Sequence, residues 1–476
     1  MYLNELLKDV EIIEVRGEGN PNITGVHYNS LEVKEGGLFV AIEGFKTDGH
    51  KYVNSAVQKG AKAVVCTKFT EGTDVIQIKV PDSRIAEAKI SSNFFGNPSS
   101  KFKLIGITGT NGKTTVTYLV KHILDSFGYK TGLIGTNQNI IGDRVLETGR
   151  TTPDSFELQK LFYEMAQSGM DYVIMEVSSH ALELSRVYGC EYEVGAFTNL
   201  TQDHLDFHET MDNYAAAKEK LFSLSKEAVI NADDIYGIKM ADNCSCPCIT
   251  YGVNADADLK ASDVVLGRSG VEFELDAIGF SLSIPGGFSV YNALCAVGIC
   301  KSLGFDLNKI CDALRTACGV KGRAEVVDTG NSDFTVMIDY AHTPDGVENI
   351  LKTARGFAKG RVVVVFGCGG DRDSAKRPIM GRIAGELADF CVVTSDNPRT
   401  EEPMSIIKMV EAGVKETDTP YVVIESRYDA IKYALDNAQK DDVIILAGKG
   451  HETYQILNSG TIHFDEREVI KEIMNL

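Results

Sequence analysis

Four apolar runs in the last third of the chain constrain its fold more than any other feature. DFTVMID (333–339), RVVVVFG (361–367), FCVVTS (390–395) and DVIILAG (442–448) are nearly all apolar and are separated by helix-length amphipathic stretches. A strand without a polar face needs cover on both sides, which predicts a parallel sheet between layers of helices. Each run ends in an unusual polar loop: DYAHTPD (339–345), GCGGDRD (367–373), SDNPRTEEP (395–403) and AGKGHETY (447–454). Ligand sites of open α/β sheets lie at the carboxyl ends of the strands. One such loop could be a turn, but four on successive strands predict a site along one sheet edge.

The same alternation of strand and helix runs through all 476 residues and makes the fold class α/β. That length predicts two to four domains, at roughly 100–200 residues each. Residues 1–99 form a first block, with strands at GLFVAI (37–42) and AKAVVCT (61–67), a helix near 51–60, and a polar linker, FFGNPSSKFK (94–103), at its end. The second block, 100–325, opens with the strand KLIGITG (103–109) and a helix over 113–127. Thr152 and Pro153 read as the N-cap and first residue of a further helix with Phe156, Leu161, Phe162 and Met165 on its apolar face. The strand DYVIMEV (171–177), a β-rich stretch over 249–285 and a helix from YNALCAVGIC (291–300) follow. Residues 326–476 are the third block.

Charge narrows the function. Lys and Arg number 48 against 67 Asp and Glu, a net charge of −19. Binders of nucleic acid or anionic membrane surfaces carry basic footprints, so no nucleic-acid partner is expected. No window approaches the 18 or so apolar residues of a membrane span, and the opening MYLNELLKDVEIIEV reads as helix then strand rather than a leader, so no membrane insertion is expected. Eleven scattered Cys suit reduced thiols and a cytoplasmic location. The C-x-C-x-C of Cys244, Cys246 and Cys248 has no partner pair and reads as a loop or strand edge.

The clearest single motif is ITGTNGKTT (107–115), between a strand and a helix. Gly109 and Gly112 let the backbone turn so that several amides face one point. Lys113 adds a cation, the helix adds its positive dipole end, and Thr114 can offer a hydroxyl to Mg²⁺. The usual phosphate loop would place Gly at 107, where Ile107 stands, with Gly106 one residue off. Glu176 ends an apolar strand, where such proteins keep a metal acid. His204 and His208, four apart, suggest zinc on a helix face, but Asp206 between them and the lack of a HExxH frame weaken that reading. Lys218, within AAAKEKLF, reads alone as a solvated lysine.

Taken in order along the chain, TGTNGKTT (108–115), TTP (151–153), MEVSSHAL (175–182), TNLTQDHLDFH (198–208), AAAK (215–218), YNALCA (291–296), GRAE (322–325), DYAHTPD (339–345), GCGGDRD (367–373), DNPRTEEP (396–403) and AGKGHE (447–452) resemble the Mur ligase family, the ATP-dependent amino-acid ligases of peptidoglycan synthesis. The resemblance implies a three-domain architecture. Residues 1–99 would bind the UDP sugar, 100–325 would be a P-loop ATP-binding domain, and 326–476 a dinucleotide-binding-like, doubly wound domain for the amino acid. It implies a ligase that adds the third residue of the stem peptide, meso-diaminopimelate, to UDP-N-acetylmuramoyl-L-alanyl-D-glutamate through an acyl phosphate, acting as a monomer in the cytoplasm. ATP and Mg²⁺ are the implied cofactors.

The residue roles implied by the resemblance are as follows. Lys113, Glu176, His204 and Lys218 are catalytic, with Thr114 and Glu176 at one Mg²⁺ and His204 and a carbamylated Lys218 at a second. Gly109, Thr110, Asn111, Gly112, Lys113, Thr114, Thr115, Asn292, Arg323, Asp339 and His342 would bind ATP. Ser30, Phe45, Lys46, Thr47, Thr151, Thr152, Ser178 and Arg186 would bind the UDP-muramoyl dipeptide. Departures from the family pattern fall here: Asn29-Ser30-Leu31 replaces D-S-R, Leu184 a polar residue, and Arg150 an Asn. Arg372, Asp396, Asn397, Pro398, Arg399, Gly448 and Glu452 would bind diaminopimelate. The Arg399 fork would take the carboxylate that L-lysine lacks.

Rival readings are ligation of L-lysine in place of diaminopimelate, a folylpolyglutamate-synthetase-like ligase, a P-loop NTPase switch or transport ATPase, and a non-enzymatic regulator. The second lacks the N-terminal block and the DNPR loop. The third has no use for four elaborated strand ends. Intact Thr114, Glu176, His204 and Lys218 argue against the last.

Overall fold

The computed structural model describes residues 1–44, 47–267, 270–330 and 332–475. Its backbone is three α/β units in chain order. The first is a five-stranded sheet in the order Glu14–Arg16, Ile76–Lys79, Ala63–Cys66, Gly37–Val40, Gly25–His27. Only Glu14–Arg16 runs antiparallel to its neighbour. Strand Ala63–Cys66 is buried throughout, as its apolar run requires.

The second unit is a nine-stranded sheet with Lys103–Thr108 between Tyr172–Glu176 and Tyr192–Phe197, all parallel. The chain therefore leaves Lys103–Thr108 at the point where the strand order reverses, the usual crevice of an open α/β sheet. Register pairs Glu176 with Ile107, which sets the carboxylate beside the loop that follows Thr108. Helix Gly287–Ser302 is apolar on nearly every face. It packs between this sheet, helix Lys113–Ser126 and a three-stranded antiparallel sheet, Ser262–Gly267, Gly270–Leu275, Ile278–Leu282. It starts four residues before the YNALCAVGIC run. At Gly298 a Cβ would meet Val229 at 2.7 Å, so the helix sits directly on the sheet.

The third unit is a six-stranded sheet ordered Glu325–Val327, Thr335–Asp339, Val443–Ala447, Val362–Phe366, Phe390–Val393, Tyr421–Val423. The four apolar runs are its adjacent, parallel central strands, so their loops share one edge. The sequence reading missed the two outer strands, each three residues long and only partly covered.

One helix start differs from expectation. The helix after the TTP motif is Ser155–Gln167, its N-cap is Asp154, and Pro153 lies outside it. Thr152 is spent elsewhere: its hydroxyl donates to the Glu176 carbonyl at 2.8 Å and accepts from the Ser178 amide at 3.0 Å. Asp154 makes no side-chain cap, because its carboxylate pairs with Arg150 and Arg186. Of the residues assigned to the apolar face, Phe162 and Met165 are buried in the second unit, whereas Phe156 packs on the first unit's core. Within the expected linker Pro98–Lys101 forms a short helical turn, and the Phe95 and Phe156 ring centres lie 5.3 Å apart.

Candidate active site

The loop after Lys103–Thr108 is built for close approach. Gly109 and Gly112 have φ of 148° and 84°. A Cβ on Gly109 would lie 1.9 Å from the Thr198 hydroxyl, and one on Gly112 would lie 2.4 Å from Asn292 Oδ1. Neither position tolerates a side chain. Gly106, by contrast, faces the Tyr192 ring and serves packing, while Ile107 is core. The odd glycine spacing is thus a strand matter and leaves the loop intact.

Two lysines close on this loop. Lys113 Nζ donates to the carbonyls of Gly109 (2.9 Å) and Thr110 (2.8 Å). Lys218, 1% exposed, donates to Gly109 at 2.8 Å and lies 4.5 Å from the Tyr214 ring centre. The reading of Lys218 as solvated is overturned by its place on the inner face of helix Met211–Glu219. Burial lowers the pKa of both lysines; for Lys218 it falls far, with the Lys113 cation adding to the effect.

Glu176 is 1% exposed rather than a solvated strand end. Its Oε1 accepts from Thr114 Oγ1 at 3.0 Å and the Thr136 amide at 2.8 Å, and its Oε2 from Thr136 Oγ1 at 3.0 Å. Arg323, from the segment entering the third unit, donates to Thr114 Oγ1 at 3.1 Å, and its Nε is buried without a partner. Asn111 donates to Asp345 Oδ2 at 2.6 Å. The glycine loop and the helix it opens therefore touch the segment entering the third unit and the third unit itself.

His204 sits at φ 54° ahead of the short helix Leu205–His208, beside Asp203. Burial, opposed by Asp203, pulls its imidazole well below its usual range. His208 turns away and meets Ser179 Oγ at 2.9 Å, so the two histidines do not share a metal-binding face. Among the described residues no group of three His, Cys, Asp or Glu is arranged to hold a metal. The Cys244 and Cys246 thiols lie 3.3 Å apart between a helix end and strand Cys248–Gly252, the expected loop and strand edge.

A chamber of about 470 Å³ joins the second and third units. Lys113, Thr114, Glu176, Thr151 and His204 line one side, and His342, Arg372, Asp396, Asn397, Arg399, Gly448 and Glu452 the other. Pro398 lies behind its neighbours, where its carbonyl accepts from the Glu401 amide. Arg399 is half-buried at φ 54° and donates to the Gly370 carbonyl at 2.7 Å. A second cavity, about 530 Å³, holds Asn111, Gly112, Thr115, Asn292, Arg323 and Asp339 with Phe288 and Ile350. A third, about 960 Å³, lies between the first and second units and is lined by Ser30, Thr47, Arg150 and Arg186. Thr152 is buried and Ser178 caps helix Ser179–Glu183. Phe45 and Lys46 lie outside the described residues.

Sequence reasoning missed the residues that hold these loops. Lys449 is fully buried and donates to Glu452 Oε2 (2.9 Å) and Asn397 Oδ1 (3.1 Å). Arg377, 2% exposed, grips Glu401 with both terminal nitrogens (2.9 and 2.7 Å), tying the GCGGDRD loop to the DNPRTEEP loop. Arg427 pairs with Glu466 at 2.7 Å beneath Asp396. Lys449 stood inside a quoted motif and was legible as a candidate. The two arginines sit on helices with no motif to mark them.

Family models match along the chain: "Mur ligase family, catalytic domain" at residues 22–95, "Mur ligase middle domain" at 107–300 and "Mur ligase, glutamate ligase domain" at 322–450. A UDP-N-acetylmuramoyl-L-alanyl-D-glutamate–2,6-diaminopimelate ligase of Caldanaerobacter subterraneus subsp. tengcongensis is 53% identical, covering 100% of this chain and 99% of its own. A ligase of the same name, numbered 1, from Clostridium acetobutylicum is 52% identical with the same coverage. A solved structure of a ligase of that name superposes with a TM-score of 0.67 at 32% identity, covering 95% of each chain. With such matches over its whole length, the chain belongs to the Mur ligase family.

Proposed function

We propose that this protein joins the amine of meso-diaminopimelate to the D-glutamyl carboxylate of UDP-N-acetylmuramoyl-L-alanyl-D-glutamate, consuming ATP, in the cytoplasmic synthesis of peptidoglycan precursors. The observation that carries this reading is the shared chamber. The phosphate loop and the four polar strand ends face one another across it, with Lys113 and Glu176 on one wall and Arg399 and Glu452 on the other. The full-length identity to relatives bearing that enzyme name supports the choice of substrates.

The chemistry needs two anions to meet, a carboxylate and the terminal phosphate of ATP. The loop amides, Lys113 and Arg323 offset that repulsion, and the unpartnered Arg323 Nε is a donor waiting for an acceptor. The glycine cradle, which any Cβ would fill, fits a polyphosphate. Asn292, Asp339 and the apolar Phe288 and Ile350 fit the nucleoside end. Thr114 and Glu176 offer hard oxygen donors that fit one Mg²⁺. His204 would fit a second, together with Lys218 as a carbamate: burial lowers the pKa of its amine, and addition of CO2 to the free amine releases one proton. Bound Mg²⁺ would supply positive charge to the phosphates. Arg399 would hold the carboxylate of diaminopimelate that L-lysine lacks, and Arg372 and Glu452 the other zwitterionic end, with Gly448 giving room.

The test is a product assay. ATP, the UDP-muramoyl dipeptide and diaminopimelate should yield one new species heavier than the nucleotide sugar by one diaminopimelate residue, with one phosphate released per product. ATP consumption with the nucleotide sugar unchanged would overturn the reading.

A further inference from the structure

Among the described residues the third unit buries four cations, Lys376, Arg377, Arg427 and Lys449. Three of them hold an acid close by: Arg377 pairs with Glu401 at 2.7 Å, Arg427 with Glu466 at 2.7 Å and Lys449 with Glu452 at 2.9 Å. Lys376 does not. It is 7% exposed, its side chain has no hydrogen bond or ion pair among the described residues, and it lines the chamber of about 470 Å³ between the second and third units.

The position is a costly one for a cation. Lys376 is the first residue of helix Lys376–Leu387, at the positive end of the helix dipole, and no side chain caps that end. The next residue is the buried Arg377, whose charge Glu401 already answers. Asp203, which feels the Lys376 charge, belongs to the second unit and accepts from the His204 amide at 3.0 Å. A buried cation without a partner is unfavourable, and packing alone would be served by an apolar residue. We propose that Lys376 is a catalytic residue that holds the terminal phosphoryl group of ATP from the third unit's side of the chamber.

This assignment rests on the proposed function, which brings ATP and the D-glutamyl carboxylate together in the chamber. Lys113 lines the facing wall, so the two lysines would hold the phosphoryl group from opposite sides. The Lys376 charge reaches Asp203, beside His204, and His342, which sets it toward the reacting phosphate rather than the Arg399 loop. In the step itself a carboxylate oxygen bonds to the terminal phosphorus. The bond from that phosphorus to its bridging oxygen breaks, and the electron pair leaves with ADP. No proton moves, so the task is to offset charge on the phosphoryl oxygens, which an ammonium group can do.

The test measures binding of ADP, and separately of β,γ-methylene ATP, to the full chain by calorimetry with Mg²⁺ present. The methylene analogue carries a terminal phosphate that is not transferred. Lys376→Met should weaken the analogue about tenfold or more and leave ADP within about twofold of the parent. It should lower kcat by about 100-fold or more and leave the KM for diaminopimelate in place. A stability readout separates this role from a structural one. Lys376→Met breaks no pair, so its urea midpoint should equal or exceed the parent's. A lower midpoint, an unchanged kcat, unchanged affinity for the analogue, equal weakening of ADP, or a raised KM for diaminopimelate would overturn the assignment. A parent chain that binds the analogue but forms no product from ATP, the nucleotide sugar and diaminopimelate would overturn the functional reading beneath it.

Discussion

Lys113 and Lys218 donate to the same carbonyl oxygen, that of Gly109, at 2.9 and 2.8 Å. They come from the first turn of one helix and the last turn of another, so the glycine loop is gripped from two sides. Two buried ammonium groups on one acceptor repel, which is why burial and the neighbouring cation both favour a neutral Lys218. A neutral lysine amine is what carbamate formation requires.

Lys218→Ala should therefore reduce kcat by about 100-fold or more while the fold is kept, since removal of a charge-stabilising group typically costs that much. Bicarbonate or formate should restore part of the activity by filling the space with an oxygen donor. Steady-state rates with and without the anion check this, and unchanged activity in Lys218→Ala would refute the carbamate role.

Arg399→Ala should raise the KM for diaminopimelate by about 30-fold to several thousand-fold, the span of the roughly 2–5 kcal/mol for losing one partner of a charge-assisted pair. The KM for ATP should stay the same. Because Arg399 is half-buried and already donates to the Gly370 carbonyl, the effect should fall at the lower end. An unaltered KM for diaminopimelate would remove Arg399 from the site.

Lys449→Met should be costlier than its place outside the assigned residues suggests. It would leave Glu452 and Asn397 without the buried cation that holds them, a loss of about 3–5 kcal/mol for a broken buried pair. Chemical denaturation should show the destabilisation. The double variant Lys449→Met/Glu452→Gln should recover part of the stability but not the KM for diaminopimelate.

Lys449 also illustrates what could be read from the residues and what could not. The central strands of the third unit were legible because apolar runs covered on both faces leave no other reading, and the loops after them held most of the chamber's far wall. The short outer strands Glu325–Val327 and Tyr421–Val423 carry no such signal. The pairs Arg377–Glu401 and Arg427–Glu466 exist only once the fold brings separate loops and helices together. Thr152 read as a helix cap because local spacing allowed it. The tertiary bond to Glu176 and the two arginines on Asp154 decided otherwise.

Acid should unfold the second unit partly through Asp233. Its carboxylate accepts from the amides of Val253, Asn254 and Ala255 and from the Tyr291 hydroxyl. Burial raises its pKa, but these bonds outweigh that and hold it at about 2, below the ordinary 3.8. The lower folded value means the contribution is full above the unfolded pKa and is lost as pH falls from about 4 toward 2. Asp233→Asn should lose about 1–2 kcal/mol at neutral pH, discounted for partial exposure, and the gap to the parent should close near pH 2. Urea midpoints from pH 7 to pH 2 provide the measurement. A gap that does not narrow in acid would contradict the linkage.

The most direct test of the whole account is phosphate release measured with ATP and UDP-N-acetylmuramoyl-L-alanyl-D-glutamate against a panel of amino acids. Sustained release should appear with meso-diaminopimelate, fall to background when the amino acid is omitted, and remain near background with L-lysine. Release that is indifferent to the amino acid, or as fast with L-lysine, would contradict it.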